Sequence, residues 1–494
     1  MAPRARHHRP PTPALINRDV ANGSITRAQG ARYMTYALTA SWRVPAAYRS
    51  LTPWDGTVPL LQLQQTAPTL GPGPAGRTVR AGLHRITDVP CPGVNGTLPG
   101  LRLTPHFYIQ YNPAGLVGLG IGAYASALER VWNTEVTSFG WAAPPRNTAT
   151  PATGGRYPVR VQRLGIQLYG YVTSTRLVGN NPHTAWADRD AMASCMVLNQ
   201  NYTSFPGTPT TAMHATTAHE FNHSLQFGYG ALNGATRVKG VWVEGGATWM
   251  EDEVFDSAND NYNYLWPDLR KPLPLYTPSF PYPYWVVFRA MTEQYGTGTA
   301  NGGQTIFKYF WEQLSRNAST NTNAFRRAFV TEGTTMAQAY HDAGIALRFD
   351  VGCGGTTAEP YCLEEGPAYV DAAGPPPTDA GLNAVGDDAA LTAANDFATR
   401  WVDLPAGHVS DVYPVSVDVD PGDLGLLMVS LVCLTGSDVT VTSLGTASQS
   451  AGVTTTTDYD ASGCDQATAV ISNVRETSTS PATRTLTGFD ISTA

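Results

Sequence analysis

The chain has 494 residues, a formal net charge of −7 at neutral pH, and 42% hydrophobic and 10% aromatic residues. This length and apolar content exclude a disulfide-only miniprotein and a mostly disordered chain, and the acidic balance argues against a protein that binds nucleic acid through bulk positive charge. The longest apolar stretch, about 114–128, is shorter than the ~20 residues that cross a bilayer, so no membrane span is predicted.

Charge is distributed unevenly along the chain. Residues 1–128 carry a net charge of +9, from twelve arginines and three aspartates, and residues 129–494 carry −16. One interpretation is compositional drift. The other is a basic pro-segment, about residues 1–90, that rests on an acidic body and restrains it.

The N-terminal part divides into two predicted regions. Residues 1–15 are rich in Arg, Pro and His and are predicted to be a disordered tail. Residues 16–90 are predicted to form an N-terminal helical, pro-like segment, whose later part (from Leu51) is a linker because it is interrupted by Pro and Gly.

The central region, 91–350, is predicted to be one α+β domain. Alternating aromatic and polar residues at 105–111 and apolar runs at 159–171 and 193–200 indicate strands. Helical spacing follows at 212–227 and 246–255 and in four further segments up to residue 348. Strands followed by helices favour an α+β arrangement.

The C-terminal region contains a linker at 351–382 and a period-two pattern over 383–494, which predicts an all-β sandwich module. The six cysteines are even in number and lack a CxxC spacing. Cys353 with Cys362, and Cys433 with Cys464, are candidate disulfides of a secreted or cell-surface protein, although no signal peptide is visible. Free buried thiols are the alternative.

The candidate chemistry lies in an HExxH motif, His219-Glu220-Phe221-Asn222-His223. On a helix, His219 and His223 lie one turn apart on one face and can bind the same Zn²⁺, while Glu220 can reach a metal-bound water as general base. A packing helix with two histidines is the structural alternative. A catalytic zinc also needs a third protein ligand and an open position for water.

Glu244 stands downstream in the sequence WVEGGATWMEDE. HExxH followed by a glutamate in a W-x-E-G-x-A setting resembles the gluzincin zinc peptidases, which include thermolysin and the aminopeptidase N relatives. The fuller pattern resembles secreted bacterial metalloproteases with HEFxH and WxEGxATWMEDE motifs. The resemblance implies a zincin-like catalytic domain in which Glu244 is the third zinc ligand. Because a GxMEN motif is absent, it implies an endopeptidase rather than an aminopeptidase.

Other residues are weaker candidates. Thr248, Glu251 and Asp252 follow Glu244 at helical spacings and are candidates to hydrogen-bond a ligand histidine, although a solvated acidic face is an alternative. The acidic run that begins at Glu251 could hold Ca²⁺. Tyr284 is a candidate donor to the oxyanion of a tetrahedral intermediate, and the further candidates are Tyr282, Tyr262 and Tyr264.

The sequence therefore predicts a zinc-dependent endopeptidase, a hydrolase acting on protein or peptide substrates. The strand at Cys195 is predicted to edge the substrate cleft. Two alternatives stay open at this point: a zinc hydrolase of a non-peptide substrate, and a non-catalytic surface adhesion or carbohydrate-binding protein that uses its β-module.

Overall fold

The structure of the protein is a computed structural model. It describes residues 9–493 except 88–97, 147–152, 166, 189, 231, 233–237, 239, 272, 274–280, 296–303, 317–320, 354–360, 408–411, 451–453 and 477–485. The described chain is mixed α+β, as the sequence predicts. Close contacts divide it into two units, one of Met1–Tyr264, Thr277–Trp285 and Phe307–Ala324, and one of Leu265–Tyr276, Val286–Ile306 and Phe325–Ala494.

The described residues contain the following α-helices: α1 Thr12–Ala21, α2 Arg27–Thr39, α3 Thr57–Thr66, α4 Pro74–Thr87, α5 Ile121–Val131, α6 Pro209–Gly228, α7 Gly240–Phe255, α8 Trp285–Tyr295, α9 Gln304–Arg316, α10 Asn321–Thr331, α11 Met336–Phe349 and α12 Gly366–Ala373. A π-helical segment, Trp132–Ser138, continues α5.

The strands are β1 Gly100–Leu103, β2 Phe107–Tyr111, β3 Tyr157–Gln162, β4 Gly170–Gly179, β5 Ala191–Asn199, β6 Ala380–Gly381, β7 Asp388–Ala394, β8 Ala398–Leu404, β9 Val412–Val419, β10 Leu427–Thr435, β11 Asp438–Ala447, β12 Thr454–Asp460, β13 Gln466–Asn473 and β14 Leu486–Ser492.

The N-terminal region is more helical than the sequence predicts. Helix α1 begins at Thr12, within the stretch predicted to be disordered, because Pro13 is compatible with a first helical turn and Leu15 and Ile16 are buried. Residues 1–8 of that stretch lie outside the described residues.

The predicted linker after Leu51 contains α3 and α4. Pro59 and Pro74 stand in the first turns of these helices, where a backbone N–H has no helical partner in any case, so the prolines do not interrupt them. The apolar side chains of Leu60, Leu63 and Val79 are buried in the hydrophobic cluster of this region. The prediction of a linker in this stretch, which rested on proline and glycine content, is therefore wrong.

A five-stranded mixed sheet forms the centre of the first unit, in the order β1-β2-β3-β5-β4. Strand β5 lies between β3, to which it is parallel, and β4, to which it is antiparallel. The prediction that the Cys195 strand edges a cleft is therefore wrong, because Cys195 lies in β5 and both sides of β5 are paired. The edge strand on this side is β4, and α6 packs against β4 and β5.

The C-terminal part of the second unit contains two further sheets. One has the order β11-β10-β13-β8-β6 and the other β12-β9-β14-β7. Buried residues of both sheets, such as Val415, Val429, Ile471 and Phe489, belong to one hydrophobic cluster. Two sheets that share one core form the sandwich arrangement that the period-two pattern predicts.

The contact-based units divide the chain differently from the predicted domains, which stay predictions. The first unit includes α1–α4 together with the HExxH region, and the second includes α11 and α10 from Phe325 together with the sandwich strands. The described part of the predicted linker 351–382 contains α12 and the short strand β6. Among the described residues, no helix combines the length and apolar character that spanning a bilayer requires.

Both candidate disulfides are present, Cys353–Cys362 and Cys433–Cys464. Cys91 lies outside the described residues. We expect replacement of Cys433 and Cys464 by serine to lower the free energy of unfolding by about 4 kcal/mol, because the bond constrains a long loop of the unfolded chain. Urea unfolding measures the change. Replacement of Cys353 and Cys362, which close a shorter loop, is the matched control and should cost about 3 kcal/mol; an unchanged stability in the first variant would contradict the expectation.

Candidate metal centre

Two consecutive long helices supply the centre. Helix α6 begins after Thr208, whose side chain accepts a hydrogen bond from the Thr211 N–H, and Pro209 occupies its first position. Helix α7 begins at Gly240, six residues before the predicted start at 246, so Glu244 lies within its second turn. His219, Glu220 and His223 on α6 and Glu244 on α7 are all buried.

His219, His223 and Glu244 form one compact group. Each offers a ligand atom, and these three atoms lie within 4.8 Å of one another. Glu244 Oε2 is 3.0 Å from His219 Nε2 and 3.4 Å from His223 Nε2. Atoms that bind Zn²⁺ tetrahedrally at about 2.0–2.1 Å lie about 3.3 Å apart. The spacing of these three atoms therefore suits a metal ion of this kind.

The other nitrogen of each imidazole is held by an oxygen atom. His219 Nδ1 is 2.7 Å from Glu251 Oε1, and His223 Nδ1 is 2.9 Å from Gln226 Oε1. An amide oxygen can only accept, so the Nδ1–H of His223 donates to Gln226, and Nε2 is the nitrogen that faces Glu244. Glu251 favours the same tautomer for His219. Contacts of this kind orient metal-binding histidines.

Three polar side-chain atoms at the centre have no hydrogen-bond partner among the described residues. Among the described residues, His223 Nε2, Glu244 Oε1 and Glu220 Oε1 are buried without a hydrogen bond. Buried polar atoms are ordinarily paired, because leaving one unpaired costs about 1–3 kcal/mol. A bound cation would satisfy the first two, so the donor set fits a divalent metal with a preference for imidazole and carboxylate ligands.

The carboxyl groups differ in charge state. Burial opposes ionisation of Glu244, but the adjacent His223 and His219 outweigh it and lower the pKa of Glu244 to about 2. Burial raises the pKa of Glu220 to about 8, and the nearby His223 only partly offsets it. The protein thus keeps one carboxylate ionised beside the histidines and a neighbouring carboxyl group that titrates near neutrality.

The structure separates the weaker candidates. Glu251 contacts His219 directly, whereas Asp252 Oδ1 accepts a hydrogen bond from Asn261 Nδ2 at 2.9 Å. Thr248 is buried on α7. Tyr284 is buried at the end of the short turn Tyr282–Tyr284, and its role as an oxyanion donor stays a prediction.

Three residues at the centre, Gln226, Thr57 and Asp55, were missed by the sequence analysis, and Tyr282 was only a further candidate behind Tyr284. Gln226 holds His223, and the Tyr282 ring lies 6.0 Å from that of His219. Thr57 Oγ1 donates to Glu220 Oε2 at 2.8 Å, and Asp55 Oδ2 is 3.9 Å from His219 Nε2. Helical spacing could have revealed Gln226, since it follows His223 by three residues. No local signal marks Thr57 or Asp55.

The acidic run after Glu244 does not form a second cluster. Glu251 binds His219, Asp252 binds Asn261, and both carboxylate oxygens of Asp260 accept from the Tyr169 hydroxyl. Within the described part of the chain, the His219, His223 and Glu244 group alone satisfies the geometry of a candidate metal centre. The run offers no convergent set of oxygens for the predicted Ca²⁺.

We expect Glu251→Gln to lower the affinity of the centre for Zn²⁺ about 10-fold, because His219 loses an anionic partner that orients its ring and increases its basicity. Competition with a chromogenic chelator measures the affinity. Asp252→Asn is the matched control, since it neutralises the adjacent acidic residue, whose partner is Asn261. Equal affinities for the two variants would contradict the role of Glu251.

Comparison of the chain with known protein families and with curated proteins gives no match. The assignment of a function therefore rests on the residues and geometry of the centre.

Proposed function

We propose that the protein is a zinc-dependent endopeptidase of the gluzincin type, with a zincin-like catalytic domain. The observation that carries the proposal is the buried group of His219, His223 and Glu244, with Glu220 adjacent on the same helical turn as the ligands. The Cys353–Cys362 and Cys433–Cys464 disulfides favour an exported protein, and we include secretion in the proposal.

The ligand residues would hold zinc through His219 Nε2, His223 Nε2 and a Glu244 carboxylate oxygen. When bound, zinc supplies a Lewis acid and an acidified water. Three protein ligands leave one position open, as hydrolytic zinc sites require. Glu251 and Gln226 keep both imidazoles in the tautomer that presents Nε2.

Glu220 is suited to move a proton. Its Oε2 accepts the Thr57 hydrogen bond, so Oε1 is the atom available to take a proton from an attacking water and to pass it to the leaving amine. A pKa of about 8 in the metal-free protein means that Glu220 is largely protonated at neutral pH. A nearby cation favours the carboxylate form and brings this pKa down toward the working range of a general base.

The test is cleavage of a diverse peptide library by zinc-loaded protein, read by mass spectrometry. The proposal expects internal cleavages that disappear in Glu220→Gln. Zinc binding without cleavage of any peptide, in the wild type and in variants that open the centre, would overturn the peptidase assignment and favour a hydrolase of a non-peptide substrate.

A further inference from the structure

A short N-terminal segment, Trp54–Thr57, crosses the candidate centre. The Trp54 N–H donates to the Gln167 carbonyl at 2.9 Å, the Tyr169 N–H donates to the Trp54 carbonyl at 3.0 Å, and the Gly56 N–H donates to the Gly170 carbonyl at 2.9 Å. The pairing with Leu168 is parallel. These main-chain bonds add the segment to the end of the sheet where β4 begins.

The outer edge of β4 is where an extended peptide could bind by strand addition, because β4 is the last strand of the sheet. Helix α6, which carries the HExxH residues, packs against β4. Residues 54–57 already occupy the start of this edge, next to Gly170. Gly56 permits the close approach, since an added Cβ would lie 3.1 Å from the Gly170 carbonyl oxygen and 3.0 Å from Tyr171 Cβ.

The side chains of the segment contact the chemical groups of the centre. The Thr57 hydroxyl donates to Glu220 Oε2 and accepts from the Val172 N–H, both at 2.8 Å. Asp55 places a carboxylate oxygen 3.9 Å from His219 Nε2, and its N–H donates to the Tyr282 hydroxyl at 3.3 Å. Asp55 is 4% exposed and Thr57 is fully buried.

The N-terminal helices hold the segment in place. Trp54 is buried in one hydrophobic cluster with Leu60 and Leu63 of α3, and Leu168 and Tyr171 from the sheet edge belong to the same cluster. A pocket that reaches Glu244 is walled mostly by N-terminal residues, among them Pro13, Trp54 and Pro59. His219, Glu220, His223 and Glu244 are at most 1% exposed, so the centre is closed to a substrate.

We propose that residues 54–57 are an internal inhibitor of this centre. The main chain pairs with the start of the strand-addition edge, the Thr57 hydroxyl is hydrogen-bonded to Glu220 Oε2, and Asp55 places a carboxyl oxygen 3.9 Å from His219 Nε2. The centre opens when this segment leaves the β4 edge. The proposal rests on the proposed function and gives the suspected pro-segment a specific mechanism, in which the arginines are not the contacting groups.

The test uses the full-length chain with Asp55→Asn, Thr57→Val and the double variant. Asp19→Asn is the matched control, because it neutralises an aspartate of the same region whose partners are Arg18 and Tyr48. We expect Asp55→Asn to lower Zn²⁺ affinity about 10-fold, because an amide next to His219 Nε2 would stabilise a nearby cation less than a carboxyl group does. At saturating zinc, the double variant should cleave peptides at least ~10-fold faster, because the competent state is more populated.

Inhibition predicts that zinc affinity falls in Asp55→Asn while the cleavage rate rises in the double variant. This combination distinguishes inhibition from other roles of the segment. If Asp55→Asn lowers both zinc affinity and cleavage, Asp55 belongs to the working site and the inhibitor proposal is overturned. If neither changes, or if Asp19→Asn has the same effects, the proposal is also overturned. If Asp55→Asn does not fold, the cleavage rate of Thr57→Val is compared with that of the wild type instead.

A second measurement separates failure of this proposal from failure of the proposed function. Acetohydroxamate, a small metal-binding probe, is titrated into zinc-loaded protein by calorimetry. We expect the double variant and Thr57→Val to bind it more tightly than the wild type, by about 10-fold in the double variant. Tighter binding of acetohydroxamate without peptide cleavage would support the inhibitor proposal and contradict the peptidase assignment. Equal binding in all variants would contradict the inhibitor proposal.

Discussion

Glu220→Gln should abolish peptide cleavage, with a rate at least ~10³-fold below that of the parent, while zinc remains bound. A positioned general base contributes about 10²–10⁴-fold to such reactions, and an amide cannot take the proton. The three ligand atoms belong to other residues, so zinc content should not change. The comparison is best made in the Asp55→Asn, Thr57→Val background, where the centre is expected to be open.

The same substitution should stabilise the metal-free protein at alkaline pH. The pKa of Glu220 is raised by burial from 4.5 to about 8, so its favourable contribution to folding is complete below pH 4.5 and is lost as pH rises to about 8. The loss amounts to at most about 5 kcal/mol, and glutamine does not titrate. Urea unfolding at pH 5 and pH 8.5 measures the difference in free energy of unfolding between the two proteins. The variant should be the more stable protein only at pH 8.5.

Glu312→Gln is the control for both measurements, because Glu312 pairs with Arg316 on α9, neither of them a residue of the centre. Full cleavage activity in Glu220→Gln would remove Glu220 from the mechanism. Loss of zinc together with activity would indicate that Glu220 supports the metal rather than the proton transfer.

The sequence predicted the parts of the centre that are local. His219, Glu220 and His223 come from one helical turn, so their spacing determines their relative positions before any tertiary contact forms. Glu251 was identified as one of three candidates because it lies two helical turns from Glu244. The choice among Thr248, Glu251 and Asp252 required the packing of α7 on α6, which decides the residue that reaches His219.

The parts that could not be predicted depend on contacts between distant residues. Asp55 and Thr57 belong to a stretch that proline and glycine made resemble a linker, yet buried leucines fold it into α3 and bring it to the β4 edge. The Cys195 strand was misplaced because an apolar run does not reveal whether one or both of its sides are paired. Tyr282 rather than Tyr284 lies beside His219. The composition of a short turn does not determine which of its residues faces a neighbouring helix.

Glu244→Gln is expected to have the largest effect on metal binding. A structural zinc site gains about 10–16 kcal/mol from its ligands, so loss of one of three protein ligands should cost about 3–5 kcal/mol, or about 10²–10³-fold or more in affinity. The amide retains the shape of the side chain but not its charge. Zinc competition against a chelator measures the loss, and Glu244→Asp, which retains a carboxylate on a shorter side chain, tests how strictly the geometry matters.

The unfolding equilibrium of the metal-free protein shows whether Glu244 acts through its charge. Its pKa lies near 2, below the value of 4.5 for an unperturbed glutamate, so its contribution to stability is present above pH 4.5 and is lost as pH falls toward 2. That contribution is about 3 kcal/mol at neutral pH. Glu244→Gln should therefore destabilise the metal-free protein at pH 7 but not at pH 2. A pH-independent loss would mean that packing of α7, and not pairing with His219 and His223, explains why this glutamate is buried.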